Sequence, residues 1–147
     1  PASDLFVLSP GPKNPKDYPH TLNWLSTLSS KQKVFGVCLG MQMMFVAEKE
    51  EVHPYQPPLH GKKSCLVVLS EEVKGFENTE VARYHSLICK QKENSVFDFL
   101  AESDEDQKPM WVRHKEKNWL GFQFHPESFL TENSKNFINY LNQWVQR

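Results

Sequence analysis

The chain has 147 residues, 39% hydrophobic and 12% aromatic, which is enough to bury a core and reads as one domain over 1–147. A formal net charge of -1 argues against generic attraction to nucleic acid or an anionic membrane, and no apolar run is long enough to span a bilayer. Three cysteines without a Cys-x-x-Cys pair speak for a reducing, cytoplasmic setting, against a disulfide framework and against a zinc site.

The N-terminus lacks the basic-then-apolar layout of a signal peptide. Leu5 to Leu8 predicts a buried strand, followed by a loop stiffened by Pro10, Pro12 and Pro15. Thr21 to Leu28 has helical spacing, with Leu22, Leu25 and Leu28 recurring beside Trp24. Val34 to Val37 is a short apolar strand, and Leu39 to Glu48 a Met- and Phe-rich helix directly behind Cys38. Glu50 to Lys63 has three prolines and no periodicity, so His53 and His60 read as solvated loop histidines rather than metal ligands. Cys65 to Leu69 is a strand, and Val81 to His85 and Leu87 to Lys90 form a strand region broken at Ser86. Val96 to Ala101 alternates as a strand, and Met110 to His114 and Trp119 to Phe124 form a hairpin around Lys115 to Asn118. Asn136 to Val145 is an amphipathic helix with Phe137, Ile138, Leu141 and Trp144 on one side. The order implies an α/β fold: a mostly parallel central sheet with an antiparallel extension, and active residues at the carboxyl ends of strands.

Gly36-Val37-Cys38-Leu39-Gly40 reads as a sharp strand-to-helix turn with a thiol at its apex. A nucleophile needs such a turn to stand clear of the backbone, and the small flanking residues let neighbouring backbone approach. The helix start aims N–H groups at the sulfur, which favours thiolate and supplies oxyanion donors, the Leu39 N–H first. The competing reading is a buried structural cysteine, which also describes Cys65 and Cys89, since neither has this turn. His125 ends an apolar strand, and Glu127 two residues on can turn back to hold its ring. His85 is a rival base without a carboxylate at short spacing. A thiol, a base and an acid to orient the base are the parts of a nucleophilic acyl-transfer site.

These stretches resemble the class I (triad) glutamine amidotransferases, most closely the glutaminase components of anthranilate synthase and aminodeoxychorismate synthase. The matching pieces are Leu8 to Pro12, Gly36 to Gln42, His60-Gly61-Lys62, Arg83-Tyr84-His85-Ser86-Leu87 and Gly121 to Ser128. The resemblance implies a three-layer, flavodoxin-like α/β fold in which Cys38 attacks the amide of glutamine, His125 moves the protons and Glu127 orients His125. It implies an oxyanion hole at Gly11 and Leu39, and glutamine binding by Gly11, Pro12, Lys13, Gln42, Ser86 and Leu87, with no metal and no cofactor. It implies a chorismate-using synthase partner that takes the ammonia.

The departures carry expectations of their own. Lys13 stands where the family has glycine, so a misshapen glutamine loop is expected. Met41 replaces a histidine, which blurs the subfamily only, while Glu48 to Glu51 replaces a Gly-Gly turn and Lys63 replaces a threonine, which weakens the partner inference. The family's first strand, helix and second strand have no counterpart, so a truncated chain, or a homodimer or tight partner contact covering the gap, is expected. Two other readings stay open: a non-enzymatic binding or regulatory member, and an amidotransferase serving another acceptor synthase.

Overall fold

The computed structural model describes residues 5–147. The reading of the N-terminal layout falls partly on residues 1–4 and lies outside them. In chain order the elements are β1 (Leu5–Leu8), α1 (Pro19–Thr27), β2 (Lys33–Val37), α2 (Leu39–Ala47), β3 (Val52–Pro54), β4 (Lys62–Val68), β5 (Glu80–Arg83), β6 (Leu87–Cys89), β7 (Phe97–Ser103), β8 (Pro109–His114), β9 (Trp119–Phe122) and α3 (Ser134–Gln146). Short 3-10 turns occupy Pro15–Asp17 and Glu71–Phe76. Among the described residues no helix is long and apolar enough to cross a membrane.

Seven strands form one sheet in the order β1-β2-β9-β8-β7-β4-β5. The neighbours β1/β2 and β2/β9 are parallel, and every pairing from β9 outward to β5 is antiparallel. The parallel part is therefore only three strands wide, and the antiparallel extension is the larger share. Hairpin and meander connections make it so, because only crossovers through a helix return a strand in parallel. β2 lies at the centre of the parallel part and β9 joins it to the antiparallel part, and four of five β2 residues and all four of β9 are buried. Their nearly unbroken apolar sequences fit a strand covered on both faces. α1 and α2 pack with Val34, Val112 and Trp119 on one face, and α3 packs with Phe35, Trp111 and Phe122 on the other, giving three layers.

Three details differ from the sequence reading. The stretch expected to be irregular contains β3, which pairs with β6 in a separate two-stranded sheet. Val-His-Pro has no strand signature, and only its partner makes it one. The two halves of the broken 81–90 region thus belong to different sheets. In α3, Tyr140 rather than Ile138 joins Phe137 and Trp144 in the core, and Ile138 is 50% exposed. At about 100° per residue, 137, 140 and 144 lie on one stripe and 138 falls off it.

The chemistry-bearing segments leave the sheet at one edge. The loop from Ser9 follows β1, Cys38 follows β2, and Gln123 to Ser128 follows β9. Val37 and Phe122 are register partners, so the exits of β2 and β9 are neighbours. β1 is the edge of the sheet, with Val7 exposed.

Candidate active site

Cys38 sits at the junction of β2 and α2 with φ 53° and ψ -106°, a backbone state that non-glycine residues avoid. Its N–H donates to Phe122 O (2.7 Å) and its C=O accepts from Gln42 N–H (3.1 Å), which locks the turn from both sides. The flanking glycines are required by close approach. A Cβ on Gly36 would stand 2.6 Å from the Gly40 carbonyl carbon, and one on Gly40 would stand 2.2 Å from Leu8 O. The motif therefore packs the Cys38 turn against the end of β1. A Cβ on Gly11 would stand 3.0 Å from Leu39 Cδ2, so the Gly11 loop packs on the Leu39 side chain.

The sulfur's charge state differs from the expectation. Burial pushes the Cys38 thiol up to about 11, against the Leu39 N–H and the Gln123 side chain, which favour thiolate; the Glu127 charge adds to the rise. Desolvation of a small buried anion outweighs two dipoles. At neutral pH the resting site therefore holds a thiol rather than a thiolate, and the proton needs an acceptor.

His125 is held through its backbone: its N–H donates to Ala82 O (3.0 Å), and its C=O accepts from the Thr131 hydroxyl (2.6 Å). Its Nδ1 lies 2.7 Å from Glu127 Oε1. An ionised carboxylate only accepts, so a neutral ring bonded to it carries its proton on Nδ1 and leaves the Nε2 lone pair free. Nε2 is buried and meets no protein partner among the described residues. Tyr84 links this ring to the thiol: its ring stands edge-on to His125 at 5.2 Å, and its C=O lies 3.8 Å from Cys38 Sγ.

A cavity of about 180 Å³ opens at Cys38. Gly11, Pro12, Lys13, Gln42, Ser86 and Leu87, the six residues expected to hold glutamine, all line it. His125 and Glu127 do not line it. Lys13 reaches φ 72°, the left-handed turn that glycine adopts freely, so the loop keeps its bend at the cost of local strain. Gln42 Nε2 donates to Leu87 O (3.1 Å) and to Gln123 Oε1 (3.1 Å).

The rival base is engaged elsewhere. His85 Nδ1 donates to Leu87 O (2.9 Å), and its Nε2 accepts from Arg83 Nε (3.1 Å). Burial, and then the Arg83 charge, bring its pKa down to about 4. Arg83 in turn holds Asp106 through two bonds, Nη1 to Oδ1 at 3.2 Å and Nη2 to Oδ2 at 3.0 Å. Tyr55 and Ser103 hydroxyls also bond Asp106. Partial burial raises this carboxyl, but the bonds from Arg83, Ser103 and Tyr55 prevail and bring it down to about 2. Sequence reasoning missed Asp106, Tyr55 and Gln123. Asp106 lies in the run Asp104-Glu105-Asp106, where nothing local tells one carboxylate from its neighbours.

A family model described as glutamine amidotransferase class-I matches residues 2–142. The bifunctional protein TrpGD of Thermotoga maritima is 39% identical over 141 residues, covering 93% of this chain and 24% of its own length. The pyocyanine-specific anthranilate synthase component 2 of Pseudomonas aeruginosa is 36% identical, covering 96% of this chain and 70% of its own. Aminodeoxychorismate synthase component 2 of Escherichia coli is 35% identical, covering 94% and 75%. The chain thus spans about a quarter of the bifunctional relative and some three quarters of the smaller ones. In fold it is similar to a solved glutamine amidotransferase of Thermotoga maritima, with a TM-score of 0.72 at 18% identity over 97% of this chain and 64% of that one.

Proposed function

The chain belongs to the class I glutamine amidotransferase family, and from that membership we propose that it hydrolyses glutamine to glutamate and ammonia and passes the ammonia to a chorismate-using synthase. One observation carries the chemistry: the six residues expected to hold glutamine line one cavity with Cys38 and Tyr84, and the Tyr84 ring packs on His125, whose Nδ1 meets Glu127.

The Cys38 thiol is the nucleophile. As its sulfur attacks the side-chain amide carbon of glutamine, its proton passes to His125 Nε2. The positive charge that forms on the ring is offset by Glu127 at Nδ1. The N–H groups of Leu39 and Gly11 hold the negative oxygen of the tetrahedral intermediate. His125 returns the proton to the departing nitrogen, ammonia leaves, and a γ-glutamyl thioester remains on Cys38. Water then gives a proton to His125 and attacks the thioester; glutamate leaves and the sulfur recovers its proton. A thiol at about 11 makes the base obligatory at neutral pH.

The acceptor follows from the relatives, two of which are named as second components of anthranilate and aminodeoxychorismate synthases. The test is glutamate release from glutamine, with and without a chorismate-using synthase, for the wild type and Cys38→Ala. Release that depends on Cys38 is expected. Release unchanged in Cys38→Ala sinks the mechanism, and no release under either condition favours a non-enzymatic binding role instead.

A further inference from the structure

Gln123 is fully buried at the exit of β9, its N–H donating to Met110 O (2.9 Å). A buried primary amide is costly unless its donors and acceptor are used. One end is used: Gln123 Oε1 accepts from Gln42 Nε2 at 3.1 Å. The orientation is not arbitrary. Gln42 uses the same nitrogen to reach Leu87 O, a backbone carbonyl that can only accept, so the Gln42 end there is its NH₂. The Gln123 atom facing that NH₂ must then be the oxygen. The Gln123 NH₂ consequently turns the other way, where it is buried and meets no acceptor among the described residues. Buried donors left without an acceptor are rare and ask for an explanation.

Its surroundings supply one. Cys38 N–H is bonded to Phe122 O, the residue just before Gln123, and Gln42 N–H is bonded to Cys38 O, one helical turn on. The Gln123 amide is thus bonded to the residue that closes the Cys38 turn, and its backbone follows directly on the residue that holds Cys38 N–H. We infer that Gln123 is the internal donor to the nucleophile: its NH₂ bonds the Cys38 sulfur as the thiol proton leaves, while its C=O keeps that sulfur in register with Gln42 in the cavity. A neutral thiol accepts weakly and a thiolate strongly, so a donor idle at rest gains its partner only when charge develops. In agreement, the Gln123 side chain is among the groups that favour thiolate over thiol at Cys38. The inference rests on Cys38 as nucleophile but not on glutamine as substrate.

The test is the pH dependence of Cys38 alkylation by iodoacetamide, followed by mass spectrometry of the Cys38 peptide in the full chain. Gln123→Met removes the donor at similar length. Gln123→Glu keeps the shape and removes the donor when ionised. In variants that keep the wild-type circular dichroism, alkylation near neutral pH falls about tenfold and its midpoint moves to higher pH, the size of one charge-assisted hydrogen bond. An unmoved profile in a folded variant overturns the inference. Should both variants unfold, wild type and Cys38→Ala are compared by NMR as pH rises. The Gln123 side-chain amide resonances move with thiol ionisation in the wild type and stay still in Cys38→Ala; no difference overturns the inference. A wild type that alkylates but releases no glutamate defeats the glutaminase reading alone.

Discussion

Two segments of the molecule present a histidine at the end of a strand, and they use it in opposite ways. After β9, His125 has one nitrogen on Glu127, itself 58% exposed, and the other without a partner among the described residues. After β5, His85 has both nitrogens engaged, one by Arg83 and one by Leu87 O, inside a buried network that ends on Asp106. The first ring can take a proton and have the charge offset. The second resists a proton, because burial disfavours its charged form and a cation there would stand beside the Arg83 guanidinium. A base and a strut can thus be the same residue type, distinguished by what occupies the second nitrogen. The strut also holds Leu87 O, the carbonyl that Gln42 reads.

The contrast can be broken most directly at His125. His125→Ala is expected to lower glutaminase kcat/KM by about a hundred- to ten-thousand-fold, the range of a lost general acid–base group. His85→Asn should change KM more than kcat and leave the pH profile of kcat where it was. A wild-type rate in His125→Ala would erase the distinction.

Arg83→Ala strands Asp106 and His85 Nε2 together, and is expected to cost about 3–5 kcal/mol in urea unfolding. A loss below about 1 kcal/mol would mean the network is ornamental to the fold.

The pH dependence of stability sharpens the comparison next. The folded chain holds His85 near 4, whereas the unfolded residue titrates at 6.5. Below 6.5 the unfolded chain takes up a proton that the folded chain refuses, so stability falls as pH drops from 6.5 toward 4. The full effect is about 3 kcal/mol. His85→Asn should flatten that slope in a denaturation series across the window, and an unaltered slope would contradict a neutral, engaged His85.

Glu127→Gln removes charge but not length, and for a carboxylate this exposed the expected loss is about tenfold in kcat. The smallest effect belongs to the loop that shares the cavity with Cys38 and His85. Lys13→Gly relieves a φ of 72° and should raise stability by about 1 kcal/mol in thermal melts, with the cavity residues undisturbed.

Whatever is decided within a few residues was legible in the chain itself. Gly36 and Gly40 around Cys38 announced a turn that only glycine at those places allows. Glu127 two residues after His125 announced the ring's partner. The hairpin of β8 and β9 followed from two apolar runs joined by a short charged turn. Short separations leave the backbone few choices, so spacing alone carries the geometry. What lay beyond reach depends on partners far apart in sequence. Gln42 meets Gln123 across 81 positions, and Arg83 meets Asp106 across 23. Burial of Cys38, which reverses the expected effect of its helix, sets it in a core cluster with Phe122, Phe124 and Phe137 from far along the chain. Charge state, tautomer and hydrogen-bond partner are set by desolvation and by contacts between distant segments, and those exist only once the sheet has brought its strand ends together.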